Sequence, residues 1–239
     1  MSGHSKWSTI KRKKEKTDQQ RAKVFTKIGR ELAVVVKAGG PDPNVNSKLK
    51  DVIAKAKAAN YPQDNIDRII KKAAGNDDSS NYEEIVYEGY GPNGVAVVVE
   101  ALTDNRNRTA GDLRHYFDKS GGNMGQNGSV MFMFSRKGVI IVDPSSIDED
   151  TCLEVALDAG ADDFNPEEEM FEVLCGPNDL GAVSDALEAK GAKLLSCEVA
   201  YIPATTTSLD EEGVIKMEKL IDSLEENDDV QGVWHNWEE

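Results

Sequence analysis

The spacing of apolar residues in this 239-residue chain changes once, between residues 75 and 82. Before that point they recur every three or four positions, as from Phe25 to Ile28, which is the spacing of one face of an α-helix. After it, β-branched runs such as 94–103 (GVAVVVEALT) alternate with helical stretches. The pattern predicts a helical N-terminal part, then mixed sheet and helix, an α+β fold.

Three apolar stripes in the first part predict three helices. The first extends from a cap at Thr17 or Asp18 to about Ala38, where Gly39-Gly40-Pro41 ends it. Ser47 is the expected cap of the second helix, over 47–60. Pro62 suits the first turn of the third helix, over 63–74. Amphipathic helices joined by such short loops form a small bundle.

The second part predicts two α/β domains, one inserted in the other. Residues 136–202 have the order βαββαβ, which is ferredoxin-like. Around them, strands at 84–88, 94–103, 129–134 and 229–237 and helices at 107–119 and 211–226 make a second unit. We therefore expect a basic arm and helical bundle at 1–79, a discontinuous ferredoxin-like domain at 80–135 plus 203–239, and an inserted acidic ferredoxin-like domain at 136–202.

Charge divides at the same place in the chain. The whole chain has a formal net charge of −15, yet residues 1–75 hold 18 Lys and Arg against 7 Asp and Glu, a net +11. Residues 76–239 hold 10 against 36, a net −26. A division this steep indicates domains with different partners.

Composition argues against several other classes of protein, namely membrane, secreted and metal-binding proteins. The longest apolar runs reach about five residues, whereas a membrane span needs roughly 20, so no membrane partner is expected. The N-terminus has no apolar segment of the kind that a secretory signal needs. Three cysteines without a CxxC pair are typical of reduced, buried thiols in the cytoplasm. The histidines lie too far apart in sequence to predict a metal site.

No enzymatic motif is complete. Residues 89–94 (GYGPNG) match G-x-G-x-x-G, but a strand rather than a helix follows, so a hairpin turn is the better interpretation. Residues 42–46 (DPNVN) begin like a calcium loop, but Ser47 and Ile53 stand where that loop needs Gly and Glu. We therefore expect no enzyme activity, no cofactor and no small-molecule substrate.

A basic arm is the most informative feature for function. Eight cations fall within 18 residues, namely Lys6, Lys11, Arg12, Lys13, Lys14, Lys16, Arg21 and Lys23. Such clusters neutralise phosphates and bind nucleic acid through counterion release. Trp7 lies among them, where its indole either stacks on a base or packs against the bundle, and the sequence leaves both open.

A second polar cluster lies at 103–109 (TDNRNRT), near the Gly- and Asn-rich loop 120–128. Its candidate binding residues, Asn105, Arg106, Asn107 and Arg108, carry donors that suit phosphates or a peptide backbone. The alternative is that Asp104 or Asn105 caps the next helix.

Several of these stretches resemble the YebC/PmpR family, and the resemblance covers the whole chain. They are Gly3-His4-Ser5-Lys6-Trp7, Gly40-Pro41-Asp42-Pro43, Tyr87-Glu88-Gly89-Tyr90-Gly91-Pro92 and Thr103-Asp104-Asn105-Arg106-Asn107-Arg108-Thr109. The resemblance implies a helical domain and two α/β domains in a cytoplasmic, DNA-binding transcriptional regulator, with no enzyme activity and no cofactor. It also implies a competing role, because relatives that include the mitochondrial translational activator of cytochrome c oxidase act on ribosomes.

The expected function is a nucleic-acid-binding regulatory protein, a DNA-binding transcriptional regulator that acts through its basic N-terminal domain. The alternative is a ribosome-associated translation factor that binds ribosomal RNA. An extended basic arm suits shape-led RNA binding, whereas the family description favours DNA.

Overall fold

The computed structural model describes residues 18–75 and 81–238. The fold is α+β, with three N-terminal helices and two four-stranded antiparallel sheets, which confirms the expected class. The described residues form two compact units. We call 18–75 with 136–200 the bundle unit, and 81–135 with 201–238 the discontinuous unit. The finer division into three domains stays a prediction.

The bundle unit begins with helices α1 (Asp18–Gly39), α2 (Ser47–Ala58) and α3 (Gln63–Ala74). Leu32, Leu49 and Ile66, one from each helix, are fully buried in a shared core. The cap of α2 is Asn46 rather than the expected Ser47. Its side-chain oxygen accepts from the Leu49 amide, while its amide nitrogen donates to two carbonyls at the end of α1, so it joins both helices.

The rest of the bundle unit has the ferredoxin-like order. Strand β4 (Phe134–Val142), helix α5 (Glu149–Asp158), β5 (Ala161–Glu167), β6 (Met170–Cys175), helix α6 (Leu180–Ala189) and β7 (Leu194–Pro203) follow the sequence βαββαβ. The sheet order is β5-β6-β4-β7. Cys152, Cys175 and Cys197 are buried free thiols in its core, as expected. Burial raises the pKa of Cys152 to about 11 and the pKa values of the other two thiols to about 12, so all three are poor nucleophiles.

Helix α2 also packs against helix α6 within the bundle unit. The Lys50 Nζ lies 2.6 Å from a carboxylate oxygen of Asp185. The Lys50 stem runs over Gly181, where a Cβ would lie 3.1 Å from the Lys50 Cδ. Ala54 and Ala58 contact the core beneath the sheet. The bundle therefore shares its packing with the ferredoxin-like elements.

The partly buried carboxyl group of Asp51, next to this contact, should make the stability of the protein depend on pH. Burial raises its pKa from 3.8 to about 6, against the opposing charges of Lys50 and Arg136. Because the folded-state pKa lies above the unfolded value, stability is lost as the pH rises through about 6. Asp51→Asn should therefore stabilise the protein by about 1 kcal/mol at pH 7.5, a value discounted for partial exposure, and by little at pH 4.

Thermal unfolding at the two pH values measures this effect. Asp185→Asn is the control, since it removes the largely exposed ion pair with Lys50 and should change stability by less than about 0.5 kcal/mol. Equal effects of Asp51→Asn at both pH values would contradict the prediction.

The discontinuous unit contains β1 (Glu83–Tyr90), β2 (Ala96–Thr103), helix α4 (Arg106–Lys119), β3 (Asn123–Met124), helix α7 (Glu211–Glu226) and β8 (Val230–His235). The sheet order is β3-β1-β2-β8, with all neighbours antiparallel. The Val97 and Val99 side chains pack with α4 and α7 through Phe117 and Leu220. Both helices therefore share one core with the sheet.

The G-x-G-x-x-G segment is a hairpin turn, as expected. Strands β1 and β2 pair from Glu83↔Thr103 to Tyr90↔Ala96, and a 3₁₀ turn at Pro92–Gly94 connects them. Asn93 and Gly94 have φ angles of 54° and 81°, the left-handed region that Gly and Asn adopt most easily.

The expected strand at 129–134 is wrong. Residues Met131–Met133 form a 3₁₀ turn, and the strand begins only at Phe134. The backbone amides of Val130 and Met131 donate to the carboxylate of Glu88, so they are not available to a strand ladder.

Within the described residues, no helix is long and apolar enough to cross a bilayer.

Candidate nucleic-acid interface

Most of the basic arm lies outside the described residues. This applies to Lys6, Trp7, Lys11, Arg12, Lys13, Lys14 and Lys16. Arg21 lies on α1, and Lys23, one turn in, has an exposed side chain. The arm's part in binding therefore stays a prediction, and the described part of the site begins on α1.

Helix α1 carries a basic stripe on the face away from its core. The stripe consists of Lys23, Lys27, Arg30 and Lys37, spaced 4, 3 and 7 residues apart. Residues at this spacing lie on one side of a helix, whereas Ile28 and Leu32 point to the bundle core on the other side. Lys23 and Lys37 are exposed, and Lys27 and Arg30 are half-buried. The same spacing test that found the apolar stripe would have found this basic one.

Helix α3 adds cations, beginning at Arg68 in the middle of the helix. Arg68, Lys71 and Lys72 are exposed, and the two lysines lie in the last turn. The first half presents exposed carboxylates, Asp64 and Asp67. A recognition helix reads bases with its N-terminal residues, where carboxylates would repel phosphates. The arrangement therefore favours backbone contacts at the C-terminal end of α3, although lysines there also suit the helix dipole.

The predicted secondary polar site is built into the start of α4. Asn105 caps the helix, because its side-chain oxygen accepts from the Arg108 amide at 3.1 Å. The Arg108 guanidinium lies 2.8 Å from Asp229 and 2.9 Å from Asp104. Arg106 and Asn107 are exposed. Arg108 is thus balanced by two carboxylates, and nucleic-acid binding by these four residues stays a prediction.

Asp229 is the buried centre of this cluster. Besides Arg108, it accepts hydrogen bonds from the hydroxyls of Thr109 at 2.8 Å and Thr103 at 3.2 Å. Burial acts to raise the pKa of Asp229, but the hydrogen bonds and the guanidinium charge outweigh it and hold the pKa below its ordinary value. The cluster links the start of α4 to the residues that lead into β8, which is a structural role.

A second buried carboxylate organises the loop between β3 and β4. The Glu88 side chain accepts from the backbone amides of Gly128 at 2.6 Å and of Val130 and Met131 at 2.8 Å. Burial acts to raise the pKa of Glu88, but the three amide donors lower it below its ordinary value. Glu88 is 5% exposed. The loop 125–133 is therefore anchored to the sheet by an ionised group.

No group of three His, Cys, Asp or Glu residues is arranged to hold a metal ion in the part of the chain that the structure describes. His115 is exposed and near the ring of Tyr116, with centroids 6.2 Å apart. The three thiols are buried with raised pKa values, as described above.

Curated bacterial proteins match the chain along its whole length. One from Acetivibrio thermocellus is 62% identical over 239 residues and covers 99% of both chains. One from Caldicellulosiruptor saccharolyticus is 57% identical over 240 residues, with 100% of this chain and 99% of its own covered. Both bear the name "Probable transcriptional regulatory protein".

A solved structure and two family models agree with these matches. The crystal structure of a conserved hypothetical protein from Aquifex aeolicus superimposes with a TM-score of 0.82 at 45% identity, covering 93% of this chain and 92% of the other. Residues 5–76 match the model of the TACO1/YebC protein N-terminal domain, and residues 82–237 match that of the TACO1/YebC second and third domain. The chain therefore belongs to the TACO1/YebC family.

Proposed function

We propose that the protein is a regulatory nucleic-acid-binding protein, a DNA-binding transcriptional regulator that acts through its basic N-terminal domain. The division of charge carries the proposal: residues 1–75 have a net charge of +11, and residues 76–239 have a net charge of −26. A polyanion is attracted to the first part and repelled by the second. Nucleic acid therefore binds through the N-terminal part of the chain, residues 1–75.

The basic stripe on α1 supports binding through residues 1–75. The stripe of α1 continues the run of cations that begins in the arm, and its first member, Lys23, is the last of the eight arm cations. A stripe about four helical turns long follows a phosphate backbone without reading its sequence. The names of the curated relatives support a regulatory role in transcription. The proposal places the protein in the cytoplasm, without catalytic activity, cofactor, membrane or small-molecule substrate.

One observation favours the alternative, a ribosome-associated translation factor that binds ribosomal RNA. Helix α3 presents Asp64 and Asp67 where a recognition helix would present base-reading side chains. Binding that depends on shape and backbone charge suits folded RNA. The two functions use the same basic surface and differ in the nucleic acid that it meets.

A salt titration of the full chain tests whether this surface binds. If about half of the eight arm cations meet phosphates, log K on duplex DNA should fall with log salt with a slope of roughly −3 to −4. Fluorescence anisotropy on a labelled duplex and on a structured RNA of equal length measures the slope. A slope near zero on both would contradict the proposal.

Crosslinking in cells decides between the two nucleic acids. A transcriptional regulator should crosslink to promoter DNA, and a translation factor should crosslink to ribosomal RNA. Sequencing of the bound nucleic acid reads out the difference. Recovery of ribosomal RNA alone would replace the first function by the second.

A further inference from the structure

The 3₁₀ turn in the discontinuous unit presents an aromatic side chain to solvent. Phe132, in the middle of Met131–Met133, is 78% exposed, although most large apolar residues of this unit are buried. Its neighbours Met131 and Met133 are half-buried and pack against the sheet face that holds Val98 and Val130. Of the three residues of the turn, only Phe132 points to solvent, so packing in the core does not explain why an aromatic side chain occurs here.

The backbone beneath Phe132 is held firmly in place. Glu88 binds three amides of the loop, and the Tyr90 hydroxyl donates to the Ser129 carbonyl at 3.0 Å. The Ala204 amide donates to the Met133 carbonyl at 2.8 Å on the other side of the turn. An exposed aromatic ring on a fixed backbone loses little conformational entropy when a partner covers it. Such a ring is suited to binding.

The sequence around Phe132 is free of negative charge. No Asp or Glu occurs from residue 119 to residue 142, whereas Lys119, Arg136 and Lys137 do occur. The surrounding region, residues 76–239, holds 36 acidic residues, so this is a marked gap. The same loop exposes the side-chain amides of Asn123, Gln126 and Asn127. A polyanion that is repelled elsewhere on this part of the chain meets uncharged donors here.

We propose that Phe132 is a stacking site for an unpaired base of single-stranded nucleic acid. Aromatic side chains bind bases through their faces, and every base has such a face. In a duplex both faces are covered by neighbouring pairs, so the partner must offer an unpaired base. The inference rests on the proposed function and extends it, because it adds a contact on the acidic part of the chain, remote in sequence from the basic arm.

The test compares Phe132→Ala with Val45→Ala in the full chain. Val45 is a matched control, since it is 79% exposed in the loop between α1 and α2. Phe132→Ala should weaken binding to single-stranded DNA and RNA oligonucleotides by about 5- to 150-fold, the loss of one stacked base. The salt slope should not change, because phenylalanine carries no charge. Val45→Ala should bind as the wild type does.

Two further measurements make the test decisive. Phe132→Trp should keep the affinity, and its added fluorescence should be quenched by the oligonucleotide. Wild-type affinity of Phe132→Ala for both oligonucleotides would overturn this inference while leaving the proposed function standing. If sedimentation then showed that Phe132→Ala loses a dimer, the ring would serve a second copy of the chain instead. No binding by the wild-type chain to these oligonucleotides, to the duplex or to the structured RNA would overturn both proposals.

Discussion

Glu88→Ala should lower the free energy of unfolding by about 2–4 kcal/mol, because three backbone amides lose the carboxylate that accepts from them. Val130 is fully buried, so water cannot easily replace the lost acceptor there. Urea unfolding followed by circular dichroism measures the loss. Hydrogen exchange at residues 125–133 should become faster at the same time, because the loop is released from the sheet.

Glu83→Ala is the matched control for this change. It removes a glutamate from the same strand, but one that is exposed, and should alter stability by less than about 0.5 kcal/mol. Since the pKa of Glu88 is lowered in the folded protein, its contribution is present above pH 4.5 and is lost as the pH falls through the folded pKa. Glu88→Gln should weaken this acid sensitivity. A Glu88→Ala protein as stable as Glu83→Ala would contradict the assigned role.

Local patterns in the sequence predicted the helices and the hairpin. The turn at Gly91–Gly94 could be found because Asn93 and Gly94 adopt positive φ angles easily, a property of the residues themselves. The strand expected at 129–134 was wrong because its amides bind Glu88, about 40 residues earlier in the chain. A buried carboxylate in an alternating strand carries no local sign of its partner.

The candidate site likewise has parts that the sequence reveals and parts that only the tertiary fold reveals. The arm's density of lysine and arginine is visible in the sequence, and so, at helical spacing, is the stripe on α1. Arg108 looked like a free donor in the stretch 103–109, but its partner Asp229 is 121 residues away. The fully buried Thr103 and Thr109 complete that network, and only the tertiary fold brings them to Asp229.

Replacing Lys11, Arg12, Lys13 and Lys14 by Ala should give the largest loss of nucleic-acid affinity. If between two and four of them meet phosphates, the slope of log K against log salt should flatten by about 2–4 units. Affinity should then fall to a similar extent for every duplex sequence, because phosphate contacts carry no sequence information. Anisotropy titrations at several salt concentrations measure both the slope and the affinity.

Two other changes separate charge from stacking and from the second polar cluster. Trp7→Ala should cost about 1–3 kcal/mol of binding free energy with little change in slope if the indole stacks on a base, and almost nothing if it packs on the bundle. Arg106→Ala with Arg108→Ala should matter less than the four changes in the arm, since Asp104 and Asp229 already neutralise Arg108. Because Arg108 also anchors α4 through Asp229, the folding of the double variant must be checked by thermal unfolding. Unchanged binding by the four-alanine variant would instead move the nucleic-acid site to the polar cluster 103–109 and the loop 120–128.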